Sequence, residues 1–283
     1  MSGMLTRWRC RSLRCAVTGA VFSLLAWAAP VAATETLTIT GAGSGLGTMQ
    51  LLAAGFAKLA PAVNVVVVPR LGNDGGLRAL SAGAVDATVI SRPLQPHELN
   101  RGLIVAEYGK TPFCFITKTP GATGFRSLEE LASVYAGVRQ HWPDGTKIRL
   151  IMRPATSDET KLIASFSPAL KQAVEAALAR PGMIIETDHD DAAAALDRIP
   201  GALGANSLAT VISERRQVSV LPFNGVMPSV QTIADGSYPF VRTMMLVRKP
   251  AARQVVLRFF AFVASPQGRQ ILLDSGHWVQ PAQ

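Results

Sequence analysis

Cysteine is scarce in this sequence of 283 residues, which contains only Cys10, Cys15 and Cys114. The first two lie in a leader that we expect to be removed, so the mature chain would keep a single cysteine and no internal disulfide. Cys114 stands in an apolar stretch with aromatic neighbours, which favours a buried, unreactive thiol over a nucleophile. The fold must therefore be stabilised mainly by burial of apolar side chains.

Patterns typical of catalytic, metal-binding and nucleic-acid-binding sites are also lacking. The four histidines are scattered, none has the His-Glu-x-x-His spacing, and no serine stands in a Gly-x-Ser-x-Gly turn. No basic stripe is interleaved with aromatic residues. The acidic run Asp188 to Asp191 precedes a helical segment and is more typical of a capped helix start than of a metal site. We therefore expect no enzyme activity, no cofactor or metal, and no nucleic-acid partner.

Residues 1–33 are typical of a signal peptide. Arginines at positions 7, 9, 11 and 14 precede the apolar segment Ala16 to Ala29, and Val31-Ala32-Ala33 fits a cleavage site. The apolar run is short and is followed by Pro30, so an uncleaved membrane anchor is the less favoured alternative. Removal of the four arginines leaves 24 basic residues against 19 acidic ones, so the formal charge falls from +9 to +5.

Apolar strands alternate with helical segments in the rest of the chain, which predicts an α/β fold with a mostly parallel sheet flanked by helices. Strands are expected at 36–40, 63–68 and 85–90, and the carboxyl ends of parallel strands commonly form a binding crevice. Short polar segments lie there: Gly43-Ser44-Gly45-Leu46, Asn73-Asp74-Gly75-Gly76 and Ser91-Arg92.

The stretch from Thr36 to Met49 joins a β-branched strand to a helix through a glycine-rich turn. Unpaired N–H groups of the first helical turn, beside the Ser44 and Thr48 hydroxyls, would attract an oxyanion. The sequence lacks the lysine of a P-loop and the Gly-x-Gly-x-x-Gly spacing of a dinucleotide site. A turn that serves only packing therefore stays an alternative.

A second polar pair, Arg153 and Ser157, lies where a predicted strand ends and the next helix begins. A guanidinium can bind an oxyanion through two hydrogen bonds, and a hydroxyl with adjacent N–H groups can complete the shell. The alternative is that Arg153 pairs with a surface carboxylate and Ser157 only caps the helix. From these two residues alone, the alternative is favoured.

Taken in order, five motifs resemble those of the periplasmic phosphate-binding proteins of ABC transporters. They are Thr40-Gly-Ala-Gly-Ser-Gly-Leu46, Leu71-Gly-Asn-Asp-Gly-Gly76, Gly83-Ala-Val-Asp-Ala-Thr-Val-Ile-Ser-Arg-Pro-Leu94, Arg153 with Ser157, and Pro200-Gly-Ala-Leu-Gly204. The resemblance covers nearly the whole mature chain. It implies the two-lobed periplasmic binding protein fold with crossover hinge strands, a monomer in the periplasm, phosphate or a similar oxyanion held between the lobes, and an ABC transporter permease as partner.

Ligand contacts are implied by the same resemblance. The residues concerned are Ser44, Gly45 and Leu46 in the first loop, Asn73 and Asp74 at the second helix, Ser91 and Arg92 after the third strand, and Arg153 and Ser157 from the other lobe.

The chain departs from the family pattern after Arg153, where Thr156-Ser157-Asp158-Glu159-Thr160 replaces the usual Gly-Ser-Gly-Thr. This leaves the oxyanion open, because phosphate can donate a proton to a carboxylate and sulfate, molybdate or tungstate cannot. Asp74, Asp158 or Glu159 could accept such a proton. For Asp158 and Glu159 the favoured interpretation is that both point outward from the first turn of a helix.

The expected lobes are residues 34–115 with 243–283, and residues 116–242. Hinges would lie near Thr111 to Phe115 and Tyr238 to Thr243. The alternative function is a periplasmic sensor or adaptor of the same fold with altered or lost anion binding, suggested by the Asp158-Glu159 departure. A phosphatase-like hydrolase is disfavoured, since no nucleophile and base pair is evident.

Overall fold

The computed structural model describes residues 35–187 and 189–280. The predicted signal peptide, and Asp188 of the acidic run, lie outside the described residues. Within the described ranges, no helix combines the length and apolar character needed to cross a membrane.

Strands and helices alternate along the described chain. The strands are β1 Glu35–Gly41, β2 Val63–Val67, β3 Ala87–Ile90, β4 Ile104–Thr117, β5 Arg149–Met152, β6 Ile184–Ile185, β7 Ala202–Ser207, β8 Ser219–Val220 and β9 Val241–Arg248. The helices are α1 Gly43–Leu59, α2 Gly72–Ala82, α3 Pro96–Leu99, α4 Leu128–Ala136, α5 Asp158–Ser165, α6 Pro168–Leu178, α7 His189–Arg198, α8 Leu208–Ser213, α9 Val230–Ala234, α10 Gln254–Ala264 and α11 Pro266–Asp274. The predicted α/β class is confirmed.

The strands form one sheet in the order β2-β1-β3-β9-β4-β7-β5-β6, and β8 also pairs with β4. Pairing is parallel on both sides, where β1 lies between β2 and β3 and β5 lies between β6 and β7. In the middle, β4 and β9 are antiparallel to each other and to their outer neighbours. The sheet is therefore parallel in each half and antiparallel where the long strands cross between the halves.

Apolar side chains pack into two main cores. One is built from residues 37 to 108 and 244 to 272, and the other from residues 113 to 240. In the first core, Leu37 and Ile39 of β1 are fully buried, and the rings of Phe56 in α1 and Phe259 in α10 meet edge to face at 5.4 Å. The alternation of apolar residues in β1 and their helical spacing in α1 explain why each element buries one face.

The glycine-rich stretch is not a loop, because α1 begins at Gly43 and the segment forms its first turn. Glycine is required at position 41, where φ is +130° and a Cβ would lie 2.1 Å from the Val89 carbonyl oxygen. At Gly76 a Cβ would lie 2.2 Å from the Thr88 hydroxyl oxygen. These close approaches place the starts of α1 and α2 side by side at the carboxyl ends of the strands.

Candidate functional site

A cleft of about 480 Å³ lies where these helix starts meet the second half of the molecule. Six of the nine predicted ligand residues line it: Ser44, Asn73, Asp74, Ser91, Arg153 and Ser157. They come from both halves of the chain, so tertiary structure brings together residues that the sequence separates by more than a hundred positions. The other residues that line it include Arg70, Asp158, Glu159, His189 and Arg242.

Two of the helices that begin at this cleft, α1 and α2, lack a side-chain cap. Their N-cap residues, Ala42 and Leu71, form no side-chain hydrogen bond to the first turn. By contrast, α5 is capped by Ser157, whose hydroxyl oxygen accepts from the backbone N–H of Thr160 at 3.1 Å. The uncapped starts leave N–H groups and the positive end of each helix dipole available to an anion.

Ser44 lies in the first turn of α1 and is 7% exposed. Its hydroxyl has no hydrogen-bond partner among the described residues, while its backbone carbonyl accepts from the Thr210 hydroxyl at 3.1 Å and is thereby fixed to α8. A buried hydroxyl without a partner costs about 1–3 kcal/mol. A ligand oxygen in the cleft would supply the missing partner.

Asn73, at the start of α2, connects several elements around the cleft. Its side-chain oxygen accepts from the Ser91 N–H at 2.9 Å, and its amide nitrogen donates to Asp158 Oδ2 at 2.5 Å. Asp158 therefore points across the cleft, and Glu159 lines it as well. The interpretation that both carboxylates point outward is wrong, because the start of α5 faces the start of α2.

Arg92 is occupied by carboxylates and lies outside the cleft lining. Its guanidinium donates two bonds of 2.8 Å to Glu98 and a further one to Asp74. The bond from Arg92 is the largest influence on Glu98 and lowers the pKa of that carboxyl to about 2. Arg92 thus anchors the segment after β3, and its charge is neutralised there.

Gly45 and Leu46 also lie outside the cleft lining. The Gly45 N–H donates to the Ala42 carbonyl at 3.0 Å, and a Cβ on Gly45 would meet Val89 Cγ1 at 2.5 Å. Leu46 is 5% exposed and belongs to the first apolar core. Both residues pack α1 against the sheet, so the packing alternative applies to this part of the glycine-rich stretch.

Arg153 has no carboxylate within ion-pairing distance among the described residues. One Nη atom donates to the Thr187 carbonyl oxygen at 2.8 Å, and its buried Nε has no partner. Among the described residues Arg153 thus forms no pair with a surface carboxylate, whereas the capping role considered for Ser157 is confirmed. The guanidinium keeps donors available to a ligand in the cleft.

Sequence reasoning missed Arg70, His189 and Arg242. Arg70 follows the second predicted strand, a position that could have identified it, and it bonds to Asp190 at 2.5 Å and to Glu214 at 2.9 Å. Burial lowers the pKa of His189 to about 3, and neighbouring arginines add to the effect, so its ring is neutral at pH 7. Nothing in the local pattern marks Arg242, which is the second residue of an otherwise largely apolar strand.

Other reactive groups are few in the described part of the chain. Cys114 is fully buried, and burial raises the pKa of its thiol to about 12, as expected for an unreactive cysteine. Within residues 35–187 and 189–280, no group of three or more histidine, cysteine, aspartate or glutamate side chains is placed to hold a metal ion.

Comparison with known proteins places this architecture in a family. The profile described as "PBP superfamily domain" matches residues 28–267, and the chain belongs to that superfamily. No curated protein sequence matches the chain.

Solved structures share the fold at low sequence identity. A protein from Clostridium perfringens assigned as a phosphate ABC transporter substrate-binding protein, with bound phosphate, is 19% identical with a TM-score of 0.73, over 87% of this chain and 100% of that chain. An ABC-type phosphate transport receptor from Vibrio cholerae is 20% identical with a TM-score of 0.60, over the same two shares. The Synechocystis CcmR regulatory domain in complex with 2-PG is 14% identical with a TM-score of 0.50, over 81% and 95%.

Proposed function

We propose that this protein is an exported solute-binding protein that captures an inorganic oxyanion and delivers it to an ABC transporter permease. Phosphate is the oxyanion that we propose first. One observation carries the proposal. Ser44, the uncapped starts of α1 and α2, and the Arg153 guanidinium all face one cleft. Hydroxyl, N–H and guanidinium donors are the groups that bind tetrahedral oxyanions.

The proposed binding residues are Ser44, Asn73 and Ser91 from one half and Arg153 from the other. Three further predicted residues would support them. Asp74 and Arg92 would form an ion pair with each other, and Ser157 would cap α5. The phosphate-binding solved structures with the same fold support this choice of ligand.

Capture would use closure of two lobes, residues 34–115 with 243–283 and residues 116–242, about the strands β4 and β9. The break between the two apolar cores, from 108 to 113 and from 240 to 244, supports hinges at these points. We further propose that the protein is a monomer in the periplasm after cleavage of residues 1–33, so that its mature form begins at Thr34. N-terminal sequencing of protein recovered from the periplasmic fraction tests that start.

Thermal melting with phosphate, arsenate, sulfate and molybdate tests the ligand. A ligand at a hundred times its dissociation constant stabilises the native state by about 2.7 kcal/mol, which for a chain of this size raises Tm by roughly 5–10 °C. Phosphate at millimolar concentration is expected to produce such a rise. The absence of any rise with all four anions would refute the proposal.

Replacement of Arg153 by glutamine is expected to abolish most of this rise and to leave the Tm without anion nearly unchanged, because Arg153 forms no ion pair with the described residues. The matched control is Arg149→Gln at the start of β5, the strand that ends just before Arg153; the exposed Arg149 guanidinium bonds to the Pro200 carbonyl at 3.1 Å. The control should respond to phosphate like the unmodified protein. If phosphate raised the Tm of Arg153→Gln as much as that of the control, Arg153 would not be a binding residue.

A sensor or adaptor role is the second candidate. The Asp158 carboxylate already accepts a hydrogen bond of 2.5 Å from the side-chain amide of Asn73. An acidic group of the protein itself therefore competes with an external anion for this donor. The fold is also that of a regulatory domain. In this case, Arg153→Gln would leave binding to a partner protein intact, as measured by pull-down with the candidate permease or receptor.

A further inference from the structure

Arg242 has surroundings that are unusual for a buried cation. It is the second residue of β9, its backbone pairs with Thr111 of β4, and it is 6% exposed. Its buried Nε has no partner, and no carboxylate within residues 35–187 and 189–280 lies at ion-pairing distance. The guanidinium carbon lies 4.8 Å from the centre of the Phe113 ring, a cation–π contact.

This cation–π contact compensates only weakly for the hydration that the guanidinium loses on burial. Taking a cation out of water is far costlier than a cation–π contact can offset, and buried charges are therefore normally paired. Burial lowers the pKa of Arg242, but a guanidinium starts so high that it stays protonated at pH 7. The more distant acids Glu159 and Asp158 oppose this shift without pairing directly.

Arg242 and Arg153 act on the same part of the cleft. Burial raises the pKa of Glu159 and both guanidiniums oppose this rise, and both also contribute to the low pKa of His189, which is caused mainly by burial. Of the other two arginines that line the cleft, Arg70 is already neutralised by Asp190 and Glu214, and Arg78 is exposed to solvent. Arg153 and Arg242 come from different segments of the chain and share the cleft, and neither forms an ion pair with the described residues.

We propose that Arg242 binds the anion directly, and that with Arg153 it favours oxyanions with two negative charges over those with one. The inference rests on the proposed function. Each guanidinium can pair with one unit of ligand charge, and the bound anion would supply the counter-charge that Arg242 lacks in the protein. Hydrogen phosphate and sulfate fit this requirement better than nitrate.

The test is Arg242→Gln, studied by calorimetric titration with phosphate and nitrate and by thermal melting without anion. Its matched control is Arg248→Gln on the same strand, whose guanidinium also lies near an aromatic ring, 5.6 Å from Phe260, but bonds to the carbonyls of Lys249 and Pro250. Arg242→Gln is expected to bind phosphate at least tenfold more weakly, with a smaller change for nitrate. Its Tm without anion should equal or exceed that of the unmodified protein, because an unpaired buried charge has been removed.

The outcomes separate this inference from the proposed function. If the unmodified protein binds none of the oxyanions, both fail. If it binds phosphate and Arg242→Gln binds it equally well, only the role of Arg242 fails. A lower Tm without anion, combined with unchanged phosphate affinity, would mark Arg242 as a structural residue that packs on Phe113. Should the glutamine variant not fold, Arg242→Met keeps an apolar stem on that ring, and the same tenfold loss is expected of it.

Discussion

The carboxylate of Asp158, which bonds to Asn73 at the start of α2, should oppose the binding of an anion there, and Asp158→Asn tests this directly. Asparagine has the same shape, and its side-chain oxygen can still accept from the Asn73 amide, to which Asp158 now bonds at 2.5 Å. The substitution therefore removes one negative charge and, with it, the ion pair of 3.7 Å between Asp158 and Arg92 Nε. We expect phosphate and sulfate both to bind more tightly.

The magnitude follows from the geometry. Two like charges at a separation on the order of 5 Å repel each other by about 1–3 kcal/mol per unit charge for effective dielectric constants between 80 and 20, and this is the repulsion assumed for an anion that bonds to the start of α2 beside Asn73. This corresponds to a gain of roughly 5- to 150-fold in affinity. Loss of a negative charge at the start of α5 should lower the stability of the free protein by about 0.3–1 kcal/mol.

Calorimetric titration with phosphate and with sulfate at low ionic strength measures the change. The matched control is Glu129→Gln, which removes a carboxylate from the first turn of α4, away from the cleft, and should leave both affinities unchanged. Weaker phosphate binding by Asp158→Asn, with sulfate binding unchanged or tighter, would refute the reasoning. That result would mean that Asp158 accepts a proton from phosphate.

Two further predictions concern stability. Gly76→Ala should lower the free energy of unfolding by about 1–3 kcal/mol in urea denaturation, because its Cβ would lie 2.2 Å from the Thr88 hydroxyl, whereas Gly75→Ala should have a much smaller effect. His277 is fully buried, and burial lowers its pKa to about 4 from a usual value of 6.5, so the unfolded chain binds a proton in this range and the native chain does not. The contribution of the neutral, buried His277 ring to the free energy of unfolding is complete above pH 6.5 and declines as the pH falls. About 2 kcal/mol of it is lost at pH 5. His277→Asn should therefore flatten the stability profile between pH 7 and 5, and an unchanged slope would contradict this.

The sequence by itself determined the fold class and most of the polar segments that meet at the cleft. Alternating apolar residues in β1 and helical spacing in α1 are local properties, so they can be read without coordinates. The glycine-rich segment after the first strand, and the polar residues after the strands, indicated where a crevice would form. Ser44 and Arg153 were predicted as ligand contacts through the family resemblance, and both line the cleft.

Only the tertiary structure decided which charges are available to a ligand. Arg92 and Arg153 both follow strands, but Arg92 is bound by Glu98 and Asp74, whereas Arg153 has no ion pair among the described residues. Arg242 is in the cleft because β9 crosses between β3 and β4, a pairing of segments far apart in sequence. Charge pairing depends on distances across the fold, and a one-dimensional pattern carries no information about them.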